Sequence, residues 1–436
     1  MFSTNPAYNL KVVLKETGLA ADTLRAWERR YGLPVPQRTE GGHRLYSQRD
    51  IHTIKWLMAR QAEGLSISRA VDLWNEQLAS GADPLADSVL TSLSTLATSS
   101  RDTNLNMLRA QWISACQDFN ETLAEQPLNH AYALFSVEDV CVELLQKGLS
   151  EIGNLWYENK ASVQQEHFAS NLAMRRLDAL LIASPTPSRR QTILVGCPAD
   201  EWHAFTSLLL SLLLRRHGYN VIYLGANVPI ARFDETVRSV NADLVILVSQ
   251  TLTSAASLQR TAITLTDKKI NVAYGGRIIN LHPELTSFIP GHHLGDSVGS
   301  SIVEVENILS GTRKATKLKS SSQEHLAAHQ FFTSKRADIE QTLRTMIAPL
   351  DISTEDYQAS IHFLGDNISA ALQLGDLRYA SAEVDWIKFL LNAYHHPAEE
   401  LIGFMHAYAQ AVDKHINGSG RPIFDWLNAE AQKLTS

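Results

Sequence analysis

Two histidine–carboxylate patterns lie in the middle of this chain. Trp156 is followed by nine residues and then by Glu166-His167. Further on, Glu201-Trp202-His203 comes shortly after a β-branched run, Thr192 to Gly196. Taken alone, the first pattern is ordinary: a helical Trp usually packs, and a single His usually makes a hydrogen bond. The second is better placed. A His at the carboxyl end of a strand stands where open α/β sheets dock ligands, so His203 is suited to ligate a metal. A neighbouring carboxylate, Asp200 or Glu201, can hold and polarise its other ring nitrogen. A third group is basic and lies near the N-terminus: Arg25, Arg29, Arg30, Arg38, His43 and Arg44, together with Tyr46. Residues 1–70 carry eleven Lys and Arg against six Asp and Glu, a net +5. The whole chain is −7, so the remainder is −12. A basic head on an acidic body fits a polyanion-binding module joined to a body with another task.

The elements that must position these residues follow from punctuation and period. Pro, Gly and Ser clusters at 79–84 and 183–188, and the basic, Ser-rich stretch 313–322, divide the 436 residues into segments 1–80, 85–183, 189–312 and 323–436. The second and fourth segments have helical periodicity, as at Leu145, Leu149, Ile152 and Leu155. In the third, strands are expected at 192–196, 220–225, 244–249 and 272–275, with a helix from His203 to His217. That alternation predicts a parallel, doubly wound sheet. The loops beginning at Cys197, Gly225, Ser249 and Gly275 then sit at its carboxyl ends.

In the head, Leu10 to Thr17 and Ala21 to Tyr31 are expected as two short helices. Gly32 and two prolines stop the second, and Arg38 to Tyr46 is expected as a hairpin turning at Gly41-Gly42. A helix-turn-helix with a wing places one helix in the major groove and the wing against the backbone. Arg25, Arg29, Arg30, Arg38, His43, Arg44 and Tyr46 are the expected DNA contacts, mostly to phosphate. Trp27, in mid-helix, is expected in the core.

Composition excludes several classes. With 44% hydrophobic and 19% charged residues, the chain is not of a disordered type. No window holds the roughly 18 consecutive apolar residues of a membrane helix, and no signal peptide is evident. Three widely spaced cysteines, Cys116, Cys141 and Cys197, form neither a disulfide framework nor a zinc site. They fit a reducing cytoplasm. No stretch has the length or strand pattern of a substrate barrel, so a mutase is not expected, and the DNA-binding head argues against any enzyme.

The combination TLRAWERRYG with the following GGHRLYS resembles the winged-helix head of MerR-family transcription regulators over about seventy residues, which implies a dimer on double-stranded operator DNA. The W-x9-EH and E-x-H patterns together resemble the cobalamin-binding module over about residues 88–312: a four-helix cap followed by a Rossmann-like domain. That resemblance implies His203 as the lower cobalt ligand and Glu201 as its partner. Ser249, Thr251, Gly275 and Gly276 would line the nucleotide-tail pocket, and Trp156, Glu166 and His167 would cover the upper face. Two positions depart from the pattern. The motif's glycine is Thr206, and the residue after the capping Trp is Tyr157, which cannot supply an imidazole to cobalt.

A MerR-like head on this module resembles the CarH/LitR group of adenosylcobalamin photoreceptor regulators. There the resemblance implies that light breaks the cobalt–carbon bond and changes a homo-oligomer, dimer or tetramer, and its grip on DNA. The alternative is a regulator sensing haem, another ligand or a partner, with the corrin site decayed at Thr206. The last segment is expected to be all-helical, either an oligomerisation bundle or a second sensor, and resembles the globin-like domain of photocobilins. Having no cysteine, it could hold a bilin such as biliverdin only non-covalently. For haem, the candidates are His362, His395, His396 and His406.

Overall fold

The computed structural model describes residues 3–39, 41–62, 65–79, 83–313, 319, 322–348, 354–393 and 398–435. Ser80 to Ala82, most of 313–322, and Tyr394, His395, His396 and Pro397 lie outside them. Residues Met1–Asn104 and Leu105–Ser436 form two compact units.

In the first unit, helices Leu10–Thr17 and Ala21–Tyr31 are followed by Gln48–Ala62 and Ile67–Ala79. Asn9 caps the first helix, its Oδ1 accepting from the Val12 amide at 3.1 Å. Gly32 ends the second at φ +68°, with its amide bonded back to the Glu28 carbonyl, a left-handed cap that favours glycine. Three strands, β1 (Pro6–Asn9), β2 (Gln37–Arg38) and β3 (Arg44–Ser47), form an antiparallel sheet in the order β1-β3-β2. The β2–β3 hairpin is the expected wing. β1 was not expected, because Pro-Ala-Tyr-Asn carries no strand-like alternation. Val13, Leu24, Trp27, Ile54 and Leu57 make the core, with Trp27 only 5% exposed.

The second unit begins with a helical cap. The end of Ala86–Gln117 packs with Glu121–Leu134, Val163–Ile182 and a composite helix. The composite helix starts at Val137–Asp139, widens to a π-helix over Val140–Gln146, and continues as Lys147–Tyr157. A Cβ on Gly148 would lie 2.9 Å from the ring of the fully buried Trp112, so that glycine admits the indole.

The sheet follows: β4 (Thr192–Pro198), β5 (Asn220–Val228), β6 (Leu244–Val248), β7 (Val272–Gly275) and β8 (His292–His293). Its order is β5-β4-β6-β7-β8 and every pair is parallel. The chain leaves β4 toward β5 and then crosses back to β6 on β4's other side. The carboxyl ends of β4 and β6 therefore flank a topological switch point, the place where open α/β sheets dock ligands. Two expectations need correction. The helix expected from His203 is Phe205–Arg216, because the His203 amide is bonded to the Glu201 carboxylate at 2.9 Å and stays in the loop. β8 was not expected, being two residues long.

The C-terminal helices are Gln323–Ile347, Thr354–Leu374, Ser381–Ala393, Ala398–Ile416 and Arg421–Thr435. The first is anchored in its N-terminal half by the buried Ala328 and Phe332. One apolar core runs from β6 and β7 through helix Leu252–Asp267 into these helices. No helix among the described residues is long and apolar enough to cross a membrane.

Candidate DNA-binding face and cofactor crevice

The exposed side of helix Ala21–Tyr31 carries Arg25, Arg29 and Arg30, and the wing carries the exposed Arg38 and His43. Arg25 makes a 3.4 Å ion pair with Asp22, at a surface where such a pair is readily exchanged. Arg44 and Tyr46 behave differently. Glu28, 8% exposed, accepts from Arg44 Nε at 2.8 Å and from the Tyr46 hydroxyl at 2.5 Å. Tyr46 is fully buried, and burial followed by the Glu28 contact pushes its phenol pKa upward. Tyr46 is therefore core and not a DNA contact, a correction to the sequence reading. Its polar atom is spent on Glu28, while Arg44 keeps a 30% exposed side chain.

In the second unit, Glu201 is fully buried behind β4. One carboxylate oxygen accepts from the His203 amide at 2.9 Å and lies 2.7 Å from His203 Nδ1. The other accepts from the Gln250 amide at 2.5 Å and from the Ser254 hydroxyl at 2.6 Å. Burial alone would raise the Glu201 pKa, but the hydrogen bonds from His203, Ser254 and the two amides hold it below the usual range. The Glu201 hydrogen bond raises that of His203 against the lowering by burial. Glu201, the carboxylate that the E-x-H resemblance implies, is the one that meets His203; Asp200 instead accepts from Ser257 at 2.7 Å. The His203 side chain is 69% exposed, although Glu166 and Arg277 lie close enough to act on its charge. Its ring is exposed just beyond β4, with Nδ1 held by Glu201 and no hydrogen bond to Nε2 among the described residues.

The other expected residues are distributed around this pair. Ser249 is fully buried, its hydroxyl 2.6 Å from that of Ser254. Thr251 caps helix Leu252–Asp267 in a capping box with Ser254. Gly276, at φ +123°, could not bear a Cβ, which would fall 1.9 Å from the Ser249 carbonyl oxygen. Gly275 has only an ordinary contact, 3.9 Å to Leu294. Gly276 is thus required by the meeting of the β6 and β7 ends, a reason internal to the sheet. Thr206 is half-buried in the first turn of its helix. In the cap, His167 Nδ1 lies 2.9 Å from the Glu166 carboxylate, and the His167 side chain is 71% exposed. Trp156 packs on Tyr157 with ring centroids 5.0 Å apart.

Sequence reasoning missed Ser254, Gln250 and Arg277. A serine three residues into a helix and a glutamine in a loop carry no motif, and only the fold brings them to Glu201. Of the tail histidines, His362 Nδ1 lies 3.2 Å from Glu340, and His406 Nδ1 lies 2.9 Å from Asn428.

Residues 8–77 match the family described as MerR HTH family regulatory protein, and residues 108–181 and 191–293 each match a B12 binding domain. The HTH-type transcriptional repressor CarH of Myxococcus xanthus is 30% identical over 258 residues, 59% of this chain and 84% of that protein. CarA of the same organism, also an HTH-type transcriptional repressor, is 31% identical over 242 residues, 55% of this chain and 75% of that protein. Dimethylamine corrinoid protein 1 of Methanosarcina acetivorans is 28% identical over 130 residues, covering 28% of this chain and 61% of that protein. A winged-helix head joined to a helical cap and a parallel sheet defines a cobalamin-binding transcription regulator of the MerR type. The chain belongs to the family of MerR regulators with B12-binding domains that includes CarH and CarA.

Proposed function

We propose that this chain is a light-responsive regulator that holds adenosylcobalamin in the crevice and double-stranded operator DNA on its head. The observation that carries this reading is the Glu201–His203 pair at the switch point of the sheet. Among the described residues, no three His, Cys, Asp or Glu side chains gather to hold a metal ion. An ion bound through His203 would take its other ligands from outside the chain, as a corrin macrocycle provides them. Gln250 fits the same group: its side-chain Nε2 is buried with no partner among the described residues, one residue beyond Ser249. A corrin carboxamide is a suitable acceptor for it.

When bound, adenosylcobalamin supplies a light-labile cobalt–carbon bond. The chain holds, orients and reports. His203 would hold the cobalt through Nε2, and Glu201, bonded to Nδ1, would fix its tautomer. Ser249, Thr251, Gly275 and Gly276 would hold the nucleotide tail, and Trp156, Glu166 and His167 would cover the corrin from the cap side. Tyr157 brings no imidazole there, so no second histidine ligand comes from that position. Arg25, Arg29, Arg30, Arg38, His43 and Arg44 engage DNA. A change in the homo-oligomer alters how many heads engage one operator, which makes affinity steep without changing any base contact. The C-terminal helices are proposed as a second, non-covalent site for a bilin. Supporting this, the fully buried Tyr408 hydroxyl has no partner among the described residues.

The test is dark reconstitution with adenosylcobalamin and, separately, biliverdin, followed by absorbance and light scattering before and after green light. Wild type is expected to show a base-off, histidine-ligated corrin spectrum that changes on illumination together with particle mass. His203→Ala should lose that spectrum; intact tight binding would remove His203 from the role. No corrin uptake by wild type would favour a regulator of another ligand or partner. A red-shifted biliverdin band would establish the tail site.

A further inference from the structure

The C-terminal helices reach the crevice. Gln373 Nε2 donates to the Ala256 carbonyl at 2.8 Å and to Gln259 at 2.9 Å, and Arg260 donates to Gln373 at 2.6 Å. The rings of His282 and Tyr379 lie 5.1 Å apart. These contacts tie helix Thr354–Leu374 and the turn Leu377–Ala380 to the sheet domain, and helix Ser381–Ala393 follows that turn directly. From that helix the Phe389 ring meets Trp156 edge-on, with centroids 6.2 Å apart and planes at 75°. It also lies 5.6 Å from the Tyr157 ring. The same helix carries Glu383, a half-buried carboxylate with no hydrogen bond or ion pair among the described residues. Burial raises its pKa, opposed by Arg277, which follows Gly276 at the end of β7. The Arg277 amide donates to Gln250 at 3.0 Å and the Gln250 amide donates to Glu201, so Arg277 stands beside the Glu201–His203 pair while Phe389 stands on the cap.

We propose that the C-terminal helical region is a wall of the cobalamin site, with Phe389 backing Trp156 and Tyr157 and with Glu383 and Arg277 receiving polar groups at the corrin edge. This rests on the cobalamin reading above. A corrin carries peripheral carboxamides, each both donor and acceptor. An unpartnered carboxylate and a guanidinium at the crevice edge match those two roles. Phe389 limits how far Trp156 can swing, so helix Ser381–Ala393 feels what occupies the upper face. The tail thereby reads the upper ligand directly, without relay through the head.

The experiment uses the full chain with Phe389→Ala, Glu383→Gln and, as a control on the exposed side of the same helix, Asp385→Asn. Affinities for adenosylcobalamin and hydroxocobalamin are measured in the dark, with the corrin spectrum and the urea midpoint. Phe389→Ala is expected to reduce the preference for adenosyl over hydroxo about threefold to tenfold, the loss of one aromatic pair. Glu383→Gln, close to isosteric, should weaken both forms by a similar factor. Both should keep the histidine-ligated spectrum, and Asp385→Asn should change nothing. A purely structural tail would lower the urea midpoint without altering the preference between the two forms. Wild-type binding with Phe389→Ala and Glu383→Gln indistinguishable from it would overturn the wall and leave the cobalamin reading standing. Failure of wild type to take up either corrin would overturn both.

Discussion

Two buried carboxylates organise the two units of this molecule in opposite ways. In the head, Glu28 takes both Arg44 and Tyr46. In the crevice, Glu201 takes one nitrogen of His203. Tyr46 has a single polar atom, and once that is used the side chain is core. An imidazole has two, and using one fixes the direction of the other. A buried carboxylate thus either withdraws a neighbour from the surface or aims it, according to what the neighbour has left to offer.

Removing Glu28 should break the head side of this comparison with the largest effect. Glu28→Ala leaves Arg44 and the Tyr46 hydroxyl without their acceptor and should cost about 3 kcal/mol of head stability. Urea denaturation checks this, and a loss under about 1 kcal/mol would deny Glu28 its organising role. On the other side, Glu201→Gln should cost cobalamin affinity about 10–100-fold, as loss of a ligand's hydrogen-bond partner does. An equilibrium titration decides it, and unchanged affinity would mean that His203 needs no orienting.

Smaller effects sharpen the contrast between buried and exposed residues. Arg29→Ala should weaken DNA binding evenly across sequences and lower the slope of log affinity against log salt by about 1. Tyr46→Phe should leave that slope unchanged while reducing stability. A Tyr46→Phe slope change equal to that of Arg29→Ala would return Tyr46 to the interface.

The smallest effect concerns Arg49, which holds Asp83 through two bonds of 2.9 and 2.7 Å. That bond lowers the Asp83 pKa below its usual 3.8. The pair's stabilisation is therefore complete above the ordinary carboxylate value and is lost as pH falls through the depressed one. Asp83 is 35% exposed, so solvent screens the pair and the loss should stay below about 1 kcal/mol. Comparing wild type with Asp83→Asn in urea at pH 6 and pH 3 measures it; equal differences at both values would contradict the assignment.

The sequence determined a good deal. The helix-turn-helix with its wing was legible from Gly32, the Gly41-Gly42 turn and the arginine spacing, because turn chemistry and helix period are local. The parallel sheet was legible from four short β-branched runs, and His203 from its place after the first of them. Which carboxylate holds His203 was not legible from strand placement, although the E-x-H motif pointed to Glu201. Asp200 and Glu201 are adjacent, and only the loop's path sends Glu201 inward to Gln250 and Ser254 while Asp200 turns to Ser257. The same limit hid the fate of Tyr46, which in the sequence is one more aromatic beside an arginine. It also hid Phe389, more than two hundred residues from Trp156 along the chain. Local spacing sets periodicity and turns. Tertiary structure alone decided which polar atoms were left facing the crevice, because burial and hydrogen-bond partnership depend on residues that meet only when the chain has folded.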